Sequence, residues 1–207
     1  VGKELKSLWE AFKKCKSNFD DSNRTSVHIH VNCQPFFLNR LTSFLALWAI
    51  VEDPLTEWCG EHRVGNLFCL RFKDAPATIR YIRDFIMNDG QTGIPDVLHY
   101  AGMHPNALKK FGSLEIRTLR GCSDPTVILD WVETIQRLYD LSGDYPDPRD
   151  VCTSLSSIGP LAFFNNILGP KAKLITNGIK YDSNTLAATV YEGVRIAQDL
   201  CYCRDWD

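Results

Sequence analysis

The chain has 207 residues, 44% of them hydrophobic and 23% charged, with a net charge of −2. That length holds one domain with a sizeable core, or at most two small ones. The charge balance excludes the electrostatic footprint of a nucleic-acid or anionic-membrane binder, and no apolar run is long enough to span a bilayer.

Leu5, Leu8, Trp9, Phe12 and Cys15 recur at helical spacing, which predicts an amphipathic helix over residues 3–16. A polar loop follows to Thr25. Val27-His28-Ile29-His30-Val31-Asn32 then alternates strictly, the signature of a half-buried strand. Side chains two apart share a face, so His28, His30 and Asn32 stand together opposite Val27, Ile29 and Val31. Imidazole is a common metal ligand and titrates near neutral pH.

Pro35 marks a helix start, and residues 36–51 are apolar almost all round, which predicts a helix buried on most sides. Residues 52–61, with Pro54 and Gly60, read as a connection. Residues 62–72 read as a loop and then a strand. A helix is expected from Asp74 and Pro76 to Met87, ended by Asn88-Asp89-Gly90. Residues 91–98 are a loop, His99 to Met103 a short strand, and Pro105 to Phe111 a basic connection.

Gly112-Ser113-Leu114-Glu115-Ile116-Arg117-Thr118 has the same alternating grammar. Leu114 and Ile116 point one way, Ser113, Glu115 and Arg117 the other. If both strands lie in one antiparallel sheet with polar faces matched, His28, His30, Glu115 and Arg117 converge. Imidazole and carboxylate can hold a divalent cation, and arginine matches phosphate or carboxylate bidentately.

Asp124-Pro125 caps a helix over 125–141. Shorter helices are expected near 148–157 and 160–168, a brief strand at 173–176, and a long helix from Ser183 to Cys203. With no repeat or linker, the order is that of one α+β domain over 1–207, with 145–207 as a helical extension.

Eight cysteines form no Cys-x-x-Cys pair, and most lie in apolar runs such as Leu67-Phe68-Cys69-Leu70. With no signal-peptide pattern at the first residues, they read as reduced thiols of a cytoplasmic protein. Cys201-x-Cys203 could hold a metal only with ligands from elsewhere.

The His-x-His strand, the long apolar helix, an arginine-bearing connection and Gly-Ser-Leu-Glu-Ile-Arg leading into a Trp-bearing helix together resemble the amidoligase family. Its members are carboxylate–amine ligases grouped with glutamine synthetase and glutamate–cysteine ligase. The resemblance covers about residues 26–142. It implies a curved antiparallel sheet with helices on its apolar face, and an ATP-dependent ligase that activates a carboxylate as an acyl phosphate for attack by an amine. ATP and Mg2+ would be the cofactors, and small-molecule, peptide or protein carboxylates and amines the substrates. By carry-over, His28, His30 and Glu115 would contact metal or phosphate. Arg117 would bind the transferring phosphoryl group or substrate carboxylate. Arg63 matches the family's arginine after the long helix, with Asn66 beside it as a nucleotide contact.

The sequence departs from the family at two places. The family's opening strand with paired glutamates has no Glu-x-Glu counterpart here, which implies such a strand upstream of Val1 or an incomplete metal site. His104 stands where the family carries an Asn after its Tyr, matched here by Tyr100. The alternatives are a zinc-type hydrolase on His28, His30 and Glu115, a cysteine nucleophile at Cys33 or Cys59, and a non-catalytic interaction domain built on a ligase fold.

Overall fold

The computed structural model describes residues 2–14, 25–93, 95 and 100–206. The expected loop at 18–24, Cys15 of the first helix and His99 of the short strand lie outside the described residues.

Nine helices and one sheet are described: α1 Gly2–Lys14, β1 Ile29–Asn32, α2 Leu38–Trp58, α3 Pro76–Met87, β2 Met103–His104, α4 Ala107–Phe111, β3 Ser113–Ile116, α5 Pro125–Leu141, α6 Arg149–Ile158, α7 Pro160–Leu168, α8 Ala172–Gly178 and α9 Ser183–Cys201. The class is α+β. The sheet is antiparallel in the order β1-β3-β2. None of the described helices is long and apolar enough to cross a membrane.

The core is built round α2. Phe44, Leu47, Trp48, Ile50, Val51 and Leu55 are all fully buried, as an all-round apolar helix requires. α9 lies directly on it, because Gly193 has no side chain. A Cβ there would sit 2.5 Å from the Ala49 carbonyl oxygen and 2.6 Å from Ile50 Cα. α5 closes another side through Trp131, whose ring meets Trp48 edge-on at 6.2 Å and stacks on Trp58 at 6.1 Å. The apolar face of the sheet completes the layer with Val31, Met103, Leu114 and Ile116, all buried.

Four expectations are corrected. α2 does not end at Val51 but runs through Pro54 to Trp58. The proline removes one helical donor, and burial of Leu55 and Thr56 holds the next turn in place. Residues 66–72 form no strand, only a bridge from Leu70 to Ala101 followed by a short 3-10 turn at Phe72–Asp74. The basic connection before β3 contains the short helix α4. The brief strand expected at 173–176 is helical, and Ile175 is fully buried in α8.

A second polar assembly lies inside the helical layer. Asp53 on α2 pairs with Arg71 and Lys73, and Arg71 also donates to Asp74 at 2.7 Å. Glu52 accepts from the Phe72 backbone N–H at 2.7 Å and from Trp48 Nε1 at 3.0 Å. Burial pushes the Glu52 carboxyl up to about 8, against the pull of those two donors and of Arg71.

Candidate functional site

The ladder pairs His30 with Glu115 and Asn32 with Ser113, and on the other side of β3 pairs His104 with Glu115. The polar residues of both expected strands therefore share one face of one sheet. Period-two alternation fixes this outcome once the apolar set is buried.

Beyond Ile29 and Ile116 the register slips by one residue. The next bridge joins Ser26 to Arg120, so two residues of the first segment, 27 and 28, face three of the other, 117–119. This is a β-bulge, a device that re-aims side chains next to functional sites. It leaves carbonyls that the ladder cannot use, and Arg63 takes them. Its Nε donates to the Thr118 oxygen at 2.8 Å and its Nη2 to the Arg117 oxygen at 2.6 Å. Arg63 is only 2% exposed. It braces the backbone that carries Arg117; these two bonds point its guanidinium at main chain.

Glu115 is the centre of the cluster. Its Oε1 lies 2.6 Å from His28 Nδ1 and 2.9 Å from Arg117 Nη2, and its Oε2 lies 3.1 Å from His104 Nδ1. Burial works to raise the carboxyl pKa, but the His104 hydrogen bond and the Arg117 charge overcome it and hold it at about 2. Glu115 is thus an anion throughout the working pH range. His28 is lowered from its ordinary value by burial first and by the Arg117 charge, with Glu115 opposing. A neutral imidazole that donates from Nδ1 to Glu115 must accept at Nε2. There Ser26 Oγ lies 2.7 Å away and donates.

His30 lies one step further along the face. Its Nδ1 shares a hydrogen bond with Ser113 Oγ at 3.0 Å, and Phe111 meets its ring edge-on at 5.9 Å. His30, Asn32, Gln34, Phe111 and Ser113 line an open hollow of about 460 Å3. Lys110 lies over the Phe111 ring at 5.0 Å.

The structure thus brings together His28, His30, Glu115 and Arg117. Arg63 touches this group only through the Arg117 main-chain oxygen, and no side-chain bond joins Arg63 or Asn66 to the cluster. Asn66 caps its own loop, donating to the His62 oxygen at 3.1 Å and accepting from the Phe68 N–H at 2.9 Å. Ser26 was missed in the sequence, and His104 was noted there only in place of the family's Asn, without its link to Glu115. Ser26 continues the alternation of His28 and His30 by one more step, and reading the strand from residue 26 would have found it. His104 joins through cross-strand register, which no local pattern encodes.

Among the described residues, no group of three His, Cys, Asp or Glu side chains is placed to hold a metal ion. Cys33, Cys59, Cys69, Cys152, Cys201 and Cys203 carry free thiols. Burial pushes Cys33 up to about 11 and raises Cys59 as well. Both are therefore poor thiolates at neutral pH, the opposite of what a cysteine nucleophile needs. Comparison with known proteins finds no matching family model, no matching curated protein and no matching solved structure.

Proposed function

We propose that the polar face of the sheet is the substrate- and phosphate-holding surface of an ATP-dependent carboxylate–amine ligase, which forms an amide or peptide bond through an acyl phosphate. The observation that carries the reading is the convergence of His28, His104 and Arg117 on Glu115, with His30 beside them on the same face at a hollow of about 460 Å3. Phosphoryl transfer asks a protein chiefly for positioning and charge stabilisation. Arg117 supplies a fixed guanidinium, with one N–H on Glu115 and a buried Nε–H that has no partner. Glu115 keeps Arg117 and His28 in place, and the bulge braced by Arg63 sets their angle. The hollow past His30 offers neutral hydrogen-bonding groups and an aromatic wall, which suit the amine substrate.

The described residues do not fit magnesium. That ion takes oxygen ligands in near-octahedral geometry. The one carboxylate of the cluster has both oxygens engaged by His28, Arg117 and His104. No step is therefore assigned to a metal on this face. The same reading makes the sheet a curved, glutamine-synthetase-like one and 145–207 a helical extension of a single domain. On this reading the ligase works in the cytoplasm, where thiols stay reduced.

The test is ATP turnover with hydroxylamine as the amine and a panel of carboxylates, scored as hydroxamate and ADP. Arg117→Lys keeps the charge and loses the fork. Its transition-state stabilisation should fall by about 2–4 kcal/mol, as for one lost electrostatic donor in a dry site. The reading is wrong if Arg117→Lys melts like wild type and forms product at an equal rate, or if no carboxylate supports nucleotide-dependent product. A second reading is favoured by the saturation of Glu115: an anion-binding domain without chemistry. That reading expects saturable binding of ATP or phosphate with no turnover.

A further inference from the structure

Ser26, His28 and Glu115 form a line of hydrogen bonds whose atoms stand in the order of a serine–histidine–acid relay. Ser26 Oγ is 2.7 Å from His28 Nε2, and Nδ1 of the same ring is 2.6 Å from Glu115 Oε1. A nucleophile bonded to a base, with the base oriented by a third group, is the geometric signature of covalent acyl transfer, independent of fold. Two observations separate this line from an idle surface network. The His28 side chain is 42% exposed, so a substrate can reach the Oγ–Nε2 pair. The acid is held on further sides by Arg117 and His104, which fixes the ring it orients.

We propose that Ser26 is a nucleophile, activated by His28 and positioned by Glu115, that accepts the acyl group of a small ester or thioester. The activity goes beyond the ligase reading and needs no nucleotide. Ser26 Oγ attacks the acyl carbonyl while its proton passes to His28 Nε2. The adduct collapses, the bond to the alcohol or thiol breaks, and that leaving group takes the proton from Nε2. Water then attacks the Ser26 ester and gives its proton to Nε2. The acid departs, and the proton returns to Ser26 Oγ. With an amine in place of water the product is an amide.

The charged and titratable groups facing His28 are Glu115, which favours the imidazolium, and Arg117 and His30, which oppose it; burial opposes it most. His28 is thus in the base form at neutral pH. Glu115 acts through His28 and is a positioning residue.

The test is labelling of the whole chain by a fluorophosphonate, without ATP, with the modified residue located by mass spectrometry. Ser26 Oγ would displace fluoride from phosphorus, its proton again passing to His28. The expected result is a single label on Ser26, abolished in Ser26→Ala. In His28→Gln it should be slowed by at least about a hundredfold, the usual contribution of a general base. In Glu115→Gln the label should persist at a lower rate, with the acid limb of its pH profile displaced to lower pH. Melting curves check that Ser26→Ala and His28→Gln remain folded. The proposal is overturned if wild type labels no faster than the denatured chain, or if the label sits on another residue. It is also overturned if His28→Gln labels at the wild-type rate, or if the Glu115→Gln profile is unmoved. Ligase turnover requires ATP and an amine, so the two readings fail independently.

Discussion

His28 and Arg117 reach the same oxygen of Glu115, at 2.6 and 2.9 Å. Both stand in the bulge, one on each of its two segments, so a single carboxylate ties the segments together. The tie depends on charge. Glu115 is held down to about 2 from an ordinary 4.5, so its contribution to stability is fully present above 4.5 and is lost as pH falls towards 2. Glu115→Gln should destabilise the chain at pH 7 by about 1–3 kcal/mol, the range for losing charged hydrogen-bond partners. The gap between variant and wild type should close as pH falls below 4.5. Denaturant titrations at pH 7, 5 and 3 measure it, and a gap that is constant with pH contradicts the account.

Glu52 has the opposite sign. Burial raises its carboxyl to about 8 from 4.5, so its contribution is complete below 4.5 and is lost as pH rises through about 8. Glu52→Gln keeps acceptor oxygen for Trp48 or Phe72 and cannot ionise. Its melting temperature relative to wild type should therefore improve between pH 5 and pH 9, by at least about 2 °C, the response to ~1 kcal/mol in a chain of this size. A relative melting temperature that falls over that range would show that Glu52 is an anion stabilised by Arg71.

Gly193 sits mid-helix, where alanine ordinarily gains about 1 kcal/mol. Here the new Cβ would meet backbone, 2.5 Å from the Ala49 oxygen, and backbone cannot swing aside. Overpacking of this kind costs about 1–3 kcal/mol or more, so the clash outweighs the propensity gain. Gly193→Ala should lower the melting temperature by about 2–8 °C. An unchanged or higher value would mean that α9 slides on α2 without loss.

The two alternating stretches were legible because the side-chain period in a strand matches the burial pattern residue by residue. The same rule puts His28, His30, Glu115 and Arg117 on one face from the sequence alone. What the sequence hid is non-local. His104 joins the cluster only because β2 pairs with β3 in the register His104 to Glu115. Arg63 serves the bulge because of a one-residue mismatch between segments far apart in the chain. Pro54 reads locally as a break, yet the packing around Leu55 outweighs it. Lys173-Leu174-Ile175-Thr176 has β-branched residues, and burial of Ile175 in α8 decided for helix.

The seating of α9 on α2 has a consequence for how the chain reaches its native state. α2 is largely apolar and precedes α9, the helix seated on it, by nearly all the other described core elements. Closing that contact means closing a loop of most of the chain, which slows folding. Until then the face of α2 that α9 covers stays bare, the kind of apolar surface through which partly folded chains associate. The yield of soluble protein should therefore respond to temperature, expression rate and chaperone supply during synthesis more sharply than the stability of the finished fold does.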